Sequence, residues 1–188
     1  MRTRVAKSST ARLRPAEIKA KVMNAVGYGA IDDVRRAFER LPAEKRARIA
    51  TEALGDAVTS REPERVRLLL ALGANPMSGL GAAVFAGPEL LTLLLDAGAC
   101  PLAALEEAAR QDTDDALQLL LSRATASPKR ARALANALFV AIVQQDASKV
   151  RLLVSAGADP TMKVDGTALV RLAEKYPVAH AILGEPKR

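Results

Sequence analysis

Catalysis commonly starts from a nucleophile beside a base, and this chain carries a single cysteine, Cys100, and a single histidine, His180. No signature surrounds His180, which reads as a structural or exposed imidazole rather than an activated base. One Cys and one His supply no C-x-x-C or H-x-x-x-H spacing, so neither a zinc centre nor any other cofactor is expected. Asp32 with Asp33, and Asp112 with Asp114 and Asp115, are grouped carboxylates of the kind that can serve acid-base work. Each group falls where a helix is expected to begin, and the helix dipole stabilises negative charge there without any catalytic role. The stretch SGLG at 78–81 has no P-loop lysine and follows no strand, so it does not imply phosphate binding. The expectation is a protein that is not an enzyme.

Charge is the next candidate for function. The formal net charge is +7, but it is unevenly placed. Residues 1–14 hold Arg2, Arg4, Lys7, Arg12 and Arg14 and no acid, leaving 23 basic against 21 acidic side chains in the rest. The tail RTRVAKSSTARLR could meet nucleic acid or an anionic surface through charge alone, by releasing counterions. It has no aromatics for base stacking, and it reads first as a solvated, flexible lead. Lys129, Arg130 and Arg132 read as the exposed start of a long helix.

The elements that position these residues follow from composition and repetition. Of the 188 residues 49% are apolar, yet only 3% are aromatic and none is tryptophan. The interior must therefore be built from Ala, Leu and Val, which suits closely packed helices. The longest apolar stretch, Leu80 to Leu95, is broken by Pro88 and Glu89 and falls short of the roughly 20 residues that span a bilayer. No membrane span is expected. One cysteine and no secretory signal point to a soluble, cytoplasmic protein, with secretion as an effector the alternative.

The ending VRLLLALGANP (66–76) recurs as LLLDAGACP (93–101) and RLLVSAGADP (151–160). Aligned on the glycine, the copies fall at Gly73, Gly98, Arg123 and Gly157, spaced 25, 25 and 34 residues apart. A weaker copy precedes them at 25–42, with Leu41 in the glycine's place, and a truncated one starts at 165. Glycine can take the left-handed conformation that ends a helix, alanine permits close packing, and Asn75 or Asp159 can bond its own backbone. Proline at 76, 101 and 160 then forbids helix before itself. Leu68, Leu69 and Leu70 cover more than one narrow stripe, which implies burial against neighbours on two sides.

These endings, with GTAL at 166–169 standing where the family has T-P-L-H, resemble the ankyrin repeat over residues 15–184. The resemblance implies an all-α, ankyrin-like helical solenoid of about six helix pairs in residues 15–188, after the basic lead. The pairs expected are 15–28 with 31–40, 43–59 with 62–72, 79–86 with 88–97, 101–110 with 113–123, 129–145 with 147–156, and 167–175 with 177–183. Two spacings of 25 leave no length for the family's β-turn fingers, and Arg123 departs from its helix ending. Thr113 with Asp114 and Asp115 is the expected cap of one helix.

The same resemblance implies a protein partner held on the concave side, near the ends of the first helices of each pair. The corresponding positions are Gly27 and Tyr28, Thr59 and Ser60, Val84 and Phe85, Ala109 and Arg110, Val143 and Gln144, and Glu174 and Lys175. Tyr28, Thr59, Ser60, Phe85, Arg110, Gln144 and Lys175 form the candidate contact set, with Val84 and Phe85 as filler between helices the competing reading. Adaptor, inhibitor and effector roles are equally compatible with it. Binding of nucleic acid or an anionic surface through residues 1–14 is the alternative.

Overall fold

The computed structural model describes residues 15–184; the expected basic lead lies outside them. Twelve α-helices run in order among the described residues: α1 Pro15–Tyr28, α2 Ile31–Glu39, α3 Ala43–Thr59, α4 Pro63–Ala71, α5 Leu80–Ala86, α6 Pro88–Asp96, α7 Leu105–Ala109, α8 Asp115–Arg123, α9 Arg130–Val143, α10 Ala147–Ser155, α11 Leu169–Ala173 and α12 Pro177–Leu183. The described residues are all-α apart from one two-stranded antiparallel hairpin, β1 Lys163–Val164 and β2 Thr167–Ala168. No described helix is long and apolar enough to cross a membrane.

Consecutive helices pair, α1 with α2 through α11 with α12, and consecutive pairs stack. The odd-numbered helices form one row, each touching the next from α1 to α11. The even-numbered helices form a second row, from α2 to α8 and again from α10 to α12. The amphipathic faces explain the arrangement. Ile49, Ala53, Leu54, Ala57 and Val58 of α3 are all buried, as are Leu134, Leu138, Ala141 and Ile142 of α9. A helix this short cannot hide such a face by itself, so each pair shelters its neighbours. Leu69 and Leu94 are fully buried, and Leu68, Leu70 and Leu93 pack against the same core from its edges.

The repeated ending behaves as its residues dictate. Gly73, Gly98 and Gly157 have φ of 88°, 96° and 93°. Each donates to the carbonyl three residues back, and the buried alanine that follows donates to the one five back, as Ala74 does to Leu69 at 3.1 Å. This closes the last turn in a Schellman motif. Asn75 Oδ1 accepts from the Met77 N–H at 3.0 Å, and Asp159 Oδ1 from the Thr161 N–H at 2.8 Å. Arg123 breaks the pattern as its sequence foretold, because α8 ends into an extended Ala124 with φ −75° and ψ 107°.

Three local expectations need correction. The helices placed from 79 and 101 are each preceded or opened by a 3-10 turn, at Pro76–Gly79 and Pro101–Ala104, and α-helix starts only at Leu80 and Leu105. The segment placed at the start of a helix from 167 is strand β2. Asp165 and Gly166, with φ of 51° and 80°, make the two-residue turn whose twist suits a hairpin. Thr113 does not cap α8: Asp114 occupies the cap position without a side-chain cap bond, and its carboxylate accepts instead from the Ser148 hydroxyl.

Candidate functional site

The ends of the odd-numbered helices carry the contact set expected from sequence. Tyr28, Ser60, Phe85, Arg110, Gln144 and Lys175 are all exposed, as is Thr59. Tyr28 is 91% exposed and Phe85 55%, a large apolar area to leave in water. Of the preceding residues in each pair, Val84 and Ala109 are buried and belong to the core, whereas Gly27, Val143 and Glu174 are exposed. Filler therefore describes Val84 and not Phe85.

Neighbouring helix ends are joined directly. Arg61 Nη2 donates to the Phe85 carbonyl at 3.3 Å, and Gln144 Nε2 to the Arg110 carbonyl at 3.4 Å. A cavity of about 290 Å³ lies between Thr59, Arg61 and Phe85. A second, of about 280 Å³, joins Phe85 to Gln111, Asp112 and Asp115. A third, of about 330 Å³, continues from Gln111 and Asp112 to Gln144 and Asp146. Shared lining residues make these a run from Thr59 to Gln144. Tyr28 and Lys175 stand at the same register on α1 and just after α11, outside that run.

Several charged residues at this edge are already occupied. Arg110 is held by Glu106 and, at 3.3 Å, by Glu107, and these carboxylates keep its guanidinium more firmly protonated. Asp33 accepts from Arg36 at 2.7 Å and from the Ala30 N–H at 3.3 Å, which together hold its carboxyl below the ordinary value. Asp32 pairs with Arg35 at 3.4 Å. These aspartates serve the start of α2, as their position implied.

A second feature escaped the sequence reading. Lys149, in α10, is 2% exposed yet charged. Its ammonium donates to the Gln111 carbonyl and to Asp146 Oδ2, the latter at 2.6 Å, while Asp146 Oδ1 accepts the Lys149 N–H at 3.1 Å. Burial by itself pushes the Asp146 carboxyl up, but the bonds from Lys149 and from the Ser148 N–H outweigh it and hold it below 3.8. Arg65 repeats the device in α4: it pairs with Glu62 and donates to the carbonyls of Val26 and, at 2.7 Å, Gly29. In both places a left-handed residue, Arg61 or Gln145, with φ of 56°, ends the preceding helix. An acid follows at once, and the cation comes three residues later. The cation then ties its own pair to the helix end of the pair before it. The spacing E-x-x-R and D-x-x-K was the available signal.

Cys100 is exposed in its turn, with its N–H donated to Met77 Sδ at 3.2 Å. His180 is exposed on α12. Neither Cys100 nor His180 is brought to the run of cavities. In comparisons with known proteins, no protein-family model and no curated protein matched the chain.

Proposed function

We propose that this chain is a non-catalytic, ankyrin-like solenoid that binds a partner protein along the ends of its odd-numbered helices. The single observation that carries the reading is Phe85, an aromatic ring more than half exposed between two adjoining cavities. Tyr28, at the same register on α1, supports it. Aromatic anchors seated beside small cavities are what protein interfaces use as their energetic centres. The ankyrin comparison is supported by sequential helix pairs, by the three Gly-Ala endings and by the hairpin before α11. The 3-10 turns in place of fingers at 76–79 and 101–104 are this chain's own departure.

The area that Phe85 would bury against a partner beyond what an alanine there would bury is worth roughly 1–2 kcal/mol at ~25 cal/mol per Å². Phe85→Ala should therefore weaken binding about 5- to 30-fold. The test is affinity capture from cells that make the protein, using the intact chain, a form lacking residues 1–14, and Tyr28→Ala/Phe85→Ala. A partner retained by the first two and lost by the third supports the reading. A partner lost with residues 1–14, with steep salt dependence, would assign function to the basic lead instead.

A further inference from the structure

The opposite, amino-terminal ends of α7 and α9 flank an open recess of about 690 Å³, which lies within the usual range for ligand sites. Leu102 and Ala103 of the Pro101–Ala104 turn line one part of it, and Ser127, Pro128 and Lys129 of the segment before α9 another. Met77, Leu102, Ala103, Pro128 and Ala133 give it apolar walls. The Cys100 N–H bond to Met77 Sδ holds the methionine in place as one of them.

Two polar features of the recess point to what fits it. Asn136 lines it, half-buried, and no described residue accepts from its carboxamide nitrogen. A carboxamide suits a peptide unit, since its nitrogen donates to a main-chain carbonyl. The rim is cationic. Lys129 has no ion pair among the described residues, and Arg132 spends one N–H on the Lys163 carbonyl at 3.0 Å and keeps the others. The lone acid of the lining, Glu106, is taken by Arg110. The positive end of the α9 dipole adds to the same sign.

We propose that this recess is a second recognition site, taking an extended peptide segment that presents an apolar side chain next to an aspartate or glutamate. The apolar side chain enters between Leu102 and Ala133, the main chain bonds Asn136, and the carboxylate meets Lys129 and Arg132. The chain's own residues 1–14, with five cations and no acid, have the wrong charge to be that segment. The site does not depend on the Phe85 reading. On α9 the lining ends at Asn136, eight residues before Gln144, so about 12 Å of helix at ~1.5 Å per residue separates the recess from the Gln144 end.

The test uses two labelled, amidated peptide pools, randomised except for a leucine followed by glutamate in one and by lysine in the other. Anisotropy with the full chain is expected to favour the glutamate pool at least about tenfold, and Lys129→Glu to abolish or reverse that preference. Asn136→Leu is expected to fold normally and lose about tenfold in affinity. Should it not fold, Ala133→Trp, which projects an indole into the place of the apolar side chain, replaces it with the same expectation. Tyr28→Ala/Phe85→Ala is expected to leave peptide binding unchanged. Equal binding of both pools, full affinity in the Asn136 or Ala133 variants, or loss of binding with the Phe85 variant would each overturn the proposal.

Discussion

Replacing Asp146 by alanine should be the most damaging small change available at the surface of this protein. The carboxylate is half-buried and exposes little to water, but it is the sole acid paired with the 2%-exposed Lys149 ammonium. Removing it leaves a buried charge with the Gln111 carbonyl as its remaining acceptor and uncaps α10, whose Lys149 N–H it receives. An unpaired buried charge costs about 3–5 kcal/mol, cap loss included. Lys149→Met removes the charge itself, fills much of the same space and forfeits bonds worth about 1–2 kcal/mol. The double variant has no stranded charge, so it should cost about 2–3 kcal/mol, less than Asp146→Ala alone. The two single effects are then non-additive by about 2 kcal/mol or more. Urea unfolding followed by circular dichroism measures this cycle, with the slope of the transition checking that the stack still unfolds as a unit. Equal costs for the two single variants, summing in the double, would refute the argument that the ammonium is held in a dry pair.

The left-handed helix endings predict substitutions of opposite sign. Gly98→Ala and Gly157→Ala meet no atom within 4 Å but keep a positive φ, so each should destabilise by about 1 kcal/mol, whereas Gln145→Gly, at φ 56°, should stabilise by up to about 1 kcal/mol. Thermal melts read all three. Arg65→Met should loosen α1 and α2 from the rest, seen as faster amide exchange in residues 22–38 with the exchange of α9 and α10 unchanged. Acid gives a further check. The folded Asp146 carboxyl lies below its unfolded value of 3.8, so its contribution is complete above that pH and is lost as pH falls through the folded value. Asp146→Asn should flatten this part of the stability profile below about pH 4 and leave its shape between pH 5 and 7 unchanged.

Local rules made the even-numbered helix ends readable. Gly73, Gly98 and Gly157 announce a stop that depends on four consecutive residues, and Arg123 announces its absence. The faces of α3 and α9 were equally plain, because a run of apolar residues at helical spacing has only one place to go. What stayed hidden depends on distance along the chain. Lys149 looks like a surface lysine until Gln111, 38 residues earlier, is brought beside it, and Arg65 is the same case with Val26 and Gly29. The hairpin at 163–168 was hidden for a different reason. Its Asp165-Gly166 turn is a strong local signal, but the repeat register drew Thr167 into a helix. Within the candidate site, register alone placed Phe85 and Tyr28 at helix ends where both are exposed, whereas the cavities beside Phe85 need the packed neighbours to exist.

The reading of the helix ends as a recognition edge is tested most directly by site-specific photo-crosslinking in cells that make the protein. A photoreactive phenylalanine analogue is placed in turn at position 28, at position 85, and at the exposed Gln118 of α8 in the other row. The account predicts that positions 28 and 85 capture the same protein and that position 118 does not. Crosslinks at 118 alone, or none at 85 while the other positions react, would contradict it.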